Sequence, residues 1–247
     1  MTSAPASEPE PSAADLHKYG SKLFRIVEAQ HSISTDRLVD DPAEQEVLER
    51  LIEAAKPTMP PEARGLHHLL GTPFRYGYAK ETRFRRAGER PGIFCASETQ
   101  ATAVAETAYW RMRFFAASPG MNLPSTTLEH LAFSVPVRVE RALDLTIAPL
   151  NAGRALWTHP DDYGPCQRLA SRARALDAQV IRYESARDPG GGKNAAVLDP
   201  TAFQKPVPTG EQTWHFRFAG MKLTAFAALP SRERFDFTFE QFGLVAR

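Results

Sequence analysis

Glu106 is the one carboxylate inside Ala101-Thr-Ala-Val-Ala-Glu-Thr-Ala-Tyr109, a run otherwise made of small and apolar side chains. Burying a carboxylate is costly unless a partner compensates it. Glu106 therefore either faces solvent, pairs with Arg111, or is held in a site where its charge acts on a bound molecule. The arginines offer the complementary chemistry. Arg83-Phe84-Arg85-Arg86 and Arg90 put four guanidinium groups into eight residues. Such planar forks suit phosphate, and Phe84 offers a ring for stacking, although a solvated basic loop has the same composition. Arg25, within Leu23-Phe24-Arg25-Ile26-Val27, and Arg75, within Pro73-Phe74-Arg75-Tyr76, have apolar neighbours and need a counter-charge. That charge is an anionic ligand or a protein carboxylate. In Ser185-Ala-Arg-Asp-Pro-Gly-Gly-Gly-Lys-Asn194, three glycines leave backbone N–H groups free to approach a ligand. The order strand–GxxxxGK[ST]–helix is missing, so this is no P-loop, and a mobile hairpin loop reads the same way.

The remaining reactive residues carry less. Cys95 and Cys166 are far apart, without a CxxC, which excludes a disulfide framework or a zinc ribbon. Cys95 lies in an apolar strand and is expected to be a buried, inert thiol. His67 and His68 are adjacent, so their side chains should diverge, which is poor for joint metal ligation. His159 and His215 are isolated, no GxSxG motif occurs, and no metal site is expected.

These residues need elements to hold them. Residues 22–27 and 92–96 read as short strands. Asp41-Pro42 opens a helix with Val47, Leu48, Leu51, Ile52 and Ala55 on one face, ending by Pro57. Ser97-Glu98-Thr99-Gln100 has the form of a capping box for a helix running to Ala117, with Val104, Ala108, Met112 and Phe115 as its apolar stripe. Leu131, Phe133, Val135, Val137 and Val139 alternate as a strand, and Pro136 within it marks an edge or a bulge. Asp162 is positioned to cap a helix over about 163–177. Further strands are expected at 180–183, 195–198, 214–218, 223–227 and 235–239. The pattern is α+β.

The 247 residues carry 30 Lys+Arg against 29 Asp+Glu, a net charge of +1, with 43% hydrophobic residues. That balance argues against direct nucleic-acid binding and against a disordered chain, and the length allows a sizeable core. No apolar run is long enough to span a bilayer, and the acidic N-terminus lacks the features of a secretory signal, so a cytoplasmic protein with no membrane association is expected. Residues 1–15 are expected to form a disordered tail.

Taken in order, Leu-Phe-Arg25-Ile-Val, Arg83-Phe84, Gly92-Ile-Phe-Cys-Ala-Ser, Thr-Ala-Val-Ala-Glu106 and Tyr-Glu-Ser185-Ala-Arg-Asp-Pro-Gly-Gly-Gly-Lys-Asn-Ala-Ala-Val-Leu resemble the RES-domain family, from about residue 20 to 204. The resemblance implies an ADP-ribosyltransferase-like fold of the diphtheria-toxin type. It implies NAD as substrate and a role as the toxin of a toxin–antitoxin pair, neutralised by an Xre-type helix-turn-helix antitoxin that covers the active site, with a homodimer as one arrangement of that complex. Family members cleave NAD at the nicotinamide–ribose bond by hydrolysis or phosphorolysis, or transfer ADP-ribose to a protein. A catalytically silent binding module is the alternative of a different class.

Carried over by position, Glu106 and Arg83 are implied as catalytic, and Arg25, Arg83 and Ser185 as NAD contacts. Arg75, Tyr76, Cys95 and Asn194 are further candidate contacts. Cys95 stands where the family often has a tyrosine, for which Tyr76 or Tyr78 would substitute. The implied division is a catalytic domain over 16–204, a helical insertion at 38–74, and a C-terminal β extension at 205–247. Independently of the family, an oxocarbenium-like transition state needs a nearby carboxylate, and a pyrophosphate needs arginines. Protein-arginine transferases tend to have a second acid two residues before the glutamate; here that residue is Val104.

Overall fold

The computed structural model describes residues 8–29, 41–118 and 120–245. Two long strands form its spine. β1 (His17–Glu28) runs antiparallel to β3 (Leu128–Asp144), from His17 opposite Ala142 to Glu28 opposite His130. β1 is twice as long as its sequence suggests, because its first half, His17–Ser21, is polar and only half-buried and is a strand through its pairing with β3, with no apolar run to announce it. Leu23 and Val27 pack into one core, while Ile26 packs into another on the opposite face.

β2 (Phe94–Ser97), β4 (Val180–Glu184) and β5 (Lys193–Val197) complete a sheet of order β1-β2-β5-β4-β3, and the additional β1–β3 pairing closes these five strands into a ring. β4 joins β3 in parallel, and the other pairings among the described residues are antiparallel. Inside the ring lie Leu23, Phe94, Phe133, Val135, Val137, Val180 and Val197, sealed by Leu70 and Phe74 of α2 (His68–Arg75).

The sheet continues outward from β3 through β6 (Thr209–Ala219), β7 (Lys222–Ala227) and β8 (Arg234–Thr238). Their Trp214, Phe216, Leu223 and Phe237 build a second core with Val104, Ala108 and Met112 of α3 (Gln100–Ala116). A boundary at residue 204 thus divides one continuous sheet. β6 pairs with β3 only as far as Ser134, after a register shift, so Pro136 lies where β3 has no β6 partner for its missing N–H to matter. A third core joins β4 and β5 to α4 (Arg154–Trp157) and α5 (Gly164–Ala175) through Ile181, Ala196, Trp157, Leu169 and Ala173. The architecture is mixed α+β.

Three local expectations are corrected. α3 is capped by Thr99, whose Oγ1 accepts from Thr102 N at 3.1 Å, because Ser97 is still in β2. α1 (Pro42–Ala55) forms with Asp41 as its cap and Pro42 in its first turn, but its apolar stripe is exposed, with Leu51 at 63%. Residues 8–15 are not a free tail: Glu8 and Glu10 pair with Arg168 and Arg172 of α5. Residues 1–7, and residues 38–40 of the expected insertion, lie outside the described residues. No helix among the described residues is long and apolar enough to cross a membrane.

Candidate active site

Cross-strand register sets the floor of the site. Ser97 of β2 and Tyr183 of β4 both stand opposite Asn194 of β5, so the three side chains form a row on one face. α3 crosses that face, and Glu106 turns onto the row. Its Oε1 accepts from Asn194 Nδ2 at 2.7 Å and from Ser185 Oγ at 2.6 Å. Ser97 Oγ donates to Asn194 Oδ1 at 2.7 Å, which fixes the amide with its NH2 toward the carboxylate. Glu106 therefore neither faces open solvent nor pairs with Arg111. Its charge is held by two neutral donors at the wall of a cleft of about 250 Å³, lined also by Phe24, Arg25, Cys95, Trp110 and Tyr183.

The glycine-rich loop aims Ser185. The serine Oγ accepts from Arg187 N at 3.1 Å and Asp188 N at 2.9 Å, leaving its proton for Glu106. The glycine N–H groups are spent within the loop: Asp188 Oδ1 takes Gly190 N, Asp188 Oδ2 takes Gly192 N, and Asp188 O takes Gly191 N. The loop is thus a rigid bracket, not the open cradle of N–H groups its composition suggests. Gly192 is required for packing, since a Cβ there would overlap Thr102 Oγ1 of α3 and the Asp188 carboxylate.

Arg25 supplies the positive charge. Its guanidinium lies 4.9 Å from the centre of the Phe94 ring, and its Nη1 is buried without a hydrogen-bond partner among the described residues. Burial lowers its pKa, partly offset by Cys95 and Tyr78. A buried cationic donor left unpaired is expensive, and an anion in the cleft would relieve it.

The other candidate arginines are already engaged. Arg83 Nη1 donates to the carbonyls of Trp157 at 2.7 Å and His159 at 3.0 Å, with its guanidinium over Tyr163, so it clasps the α4–α5 connection and does not line the cleft. Arg85 is buried and spends its donors on the carbonyls of Tyr78, Lys80 and Arg86. Arg86 bonds Ser171 of α5. Arg75 points away: it binds Pro57 O and the Glu53 carboxylate and ties α2 to α1. Tyr76 is not part of the cleft lining, whereas Tyr78, 5.7 Å from it, borders an adjoining groove that Arg25 also lines.

Cys95 corrects the expectation of a buried thiol. In β2, Phe94 and Ala96 point into the ring core, so Cys95 points outward and opens onto the cleft. Surrounding protein raises its pKa to about 11, so the thiol stays protonated at neutral pH. His67 and His68 do not diverge: their ring centres are 4.2 Å apart, because His67 is the extended cap residue of α2. Among the described residues no group of three or more His, Cys, Asp or Glu is arranged to hold a metal.

Sequence reasoning missed Ser97, Trp110 and Tyr183. Tyr183 is buried against Phe84, and desolvation raises its hydroxyl pKa well above the usual value. The period-two spacing of Tyr183 and Ser185 was the available signal for it. Trp110 follows one turn after Glu106 and is half exposed at the cleft mouth.

A family model for the RES domain matches residues 59–219. The chain belongs to the RES domain family. The match runs past residue 204 into β6, in line with the continuity of the sheet. Among solved structures, this RES protein is similar to a crystal structure of the M. tuberculosis MbcT-MbcA toxin–antitoxin complex. The identity is 13% over 81% of this chain and 86% of that chain, and the TM-score is 0.45. No curated protein matches it.

Proposed function

We propose that this RES protein is an NAD-consuming toxin of a toxin–antitoxin pair, with an ADP-ribosyltransferase-like catalytic fold. The observation that carries the reading is the pairing, across one small cleft, of a carboxylate held by neutral donors with a guanidinium that lacks a partner. Those two groups match the two charges of the reaction. Heterolysis of the nicotinamide–ribose bond sends the electron pair to the nicotinamide nitrogen and leaves a ribosyl cation. Glu106 faces that cation, and because its two donors are preorganised, the carboxylate need not reorient as charge develops. Arg25 offsets the diphosphate. Water then adds at the ribosyl carbon and loses a proton, giving ADP-ribose; phosphate in its place gives the sugar phosphate.

In this reading Ser185, Asn194 and Ser97 orient the carboxylate, and Arg83 supports the wall behind it. An Xre-type antitoxin seated over the cleft mouth is the expected partner, and the cytoplasm the expected site of action. Transfer to a protein arginine fits less well. The position two residues before Glu106 is Val104, which is fully buried in the α3 core and offers no second acid. The test is to incubate the purified protein with NAD and follow nicotinamide and ADP-ribose. Equal release of both supports hydrolysis. Nicotinamide with a mass-shifted protein supports transfer. No turnover by folded protein supports a silent binding module.

A further inference from the structure

The reaction cleft is too small for a whole dinucleotide: its roughly 250 Å³ lies below the ~300–1,000 Å³ of sites for drug-sized ligands. Two larger grooves open from it. One, of about 500 Å³, leaves past Ile26, Thr107 and Trp110 toward Arg111 and Phe114. The other, of about 670 Å³, leaves over Arg25 between β1 and α2, lined by His67, His68, Thr72, Tyr78, Glu28 and Glu211.

Resting on the NAD reading, we infer that the substrate runs over Arg25, with the nicotinamide riboside half beside Glu106 and the adenylate half in the groove of His68, Thr72 and Tyr78. Three observations select this direction. Arg25 lines both the cleft and this groove, so its guanidinium stands at the junction a diphosphate must cross. Glu28 lines both grooves, but Glu211 lines this one and not the other, and its carboxylate repels phosphate while accepting hydrogen bonds from ribose hydroxyls or an exocyclic amine. The side chains between are rings. His68 is exposed and kept neutral by partial burial beside His67, and Tyr78 is exposed at the rim, so both offer faces for a neutral base. The groove past Trp110 is lined by Arg111, whose Nε is also buried without a partner among the described residues, but Arg111 does not line the reaction cleft and so does not stand at a junction with it, and Arg113 and Arg187 already lie over the Trp110 ring.

The test compares NAD with nicotinamide mononucleotide, which lacks the adenylate half, by nicotinamide release. Thr72→Trp, which fills the groove, and Tyr78→Ala, which removes a surface ring, should each lower the ratio of kcat/KM for NAD to that for the mononucleotide about tenfold. Phe114→Trp, in the other groove, should keep the wild-type ratio. An unchanged ratio in both groove variants, or a fall in Phe114→Trp instead, overturns the assignment. If the wild-type protein releases no nicotinamide from NAD, the underlying reading fails, and this inference fails with it.

Discussion

Arg182 and Arg25 lie on strands of the same ring, β4 and β1, yet their surroundings differ. Arg182 makes a two-pronged contact with Glu98 at 2.7 and 3.0 Å, and also binds Asp144 at 2.9 Å and Thr146 at 2.8 Å. Tyr19 bonds the same Glu98 at 2.9 Å. These partners raise the Arg182 pKa, and the corner is complete as folded. Arg25 has an aromatic face, a desolvated guanidinium and an orphaned Nη1. An arginine that brings its own carboxylates holds the fold together. Arg111 Nε and Arg174 Nη2 are orphaned as well, so an unpaired donor does not by itself mark a ligand site; Arg25 differs in lining the cleft of Glu106, and in the proposed reaction an anion of the substrate pairs it.

That contrast is broken most directly by exchanging the two losses. Arg25→Met keeps the apolar stem over Phe94 and removes the orphaned charge. It should lower kcat/KM for NAD by about 100-fold or more, while the melting temperature holds or rises. Arg182→Met should do the reverse. It should destabilise the protein by about 2 kcal/mol, below the ~3–5 of a fully buried pair because the partners are partly exposed, with kcat/KM of the folded fraction within a few-fold of wild type. Loss of activity without loss of stability at Arg182 would undo the comparison. Gly192→Ala lies between the two regions: it drives α3 off the bracket that aims Ser185 and should cost about 1–3 kcal/mol together with activity. Denaturant unfolding and kinetics on the same preparation check it.

The smallest effect is in pH. Burial and the neighbouring Arg111 lower the pKa of His130, and burial beside His67 lowers that of His68. With folded values below the unfolded one, the unfolded chain binds more protons as pH falls through about 6.5. Stability contributed by these neutral rings is present above that pH and is lost below it. The fall in melting temperature between pH 7 and 5.5 should be shallower in His130→Leu than in the wild type.

Glu106 stood out in sequence as a lone acid in an Ala/Val helix, but its neighbours left solvent exposure or a pair with Arg111 equally open and the family resemblance made it a site residue, whereas β3 was legible because one of its faces alternates cleanly. Arg25 stood apart from Arg83 in sequence by its apolar neighbours, but which of the two keeps an unpaired guanidinium was not encoded there. What separates them is whether carbonyls distant in the chain, those of Trp157 and His159, reach the guanidinium. Arg75 misled for the same reason, since its carboxylate is on α1. Cys95 was hidden by an apolar run in which alternation cannot be read. The glycine loop was read as open because composition does not show that Asp188 consumes its N–H groups. Pairing across long separations decides these cases, and local pattern does not encode it.

In the proposed reaction a carboxylate fixed by Ser185 and Asn194 stabilises a ribosyl cation. The measurement is nicotinamide release from NAD by the wild type and by Glu106→Gln, which keeps the shape and removes the charge. The wild type should turn NAD over, and kcat should fall by about 10²–10³ in the variant, with unchanged melting temperature and NAD binding within a few-fold. A folded Glu106→Gln protein that turns over NAD as fast as the wild type would contradict it.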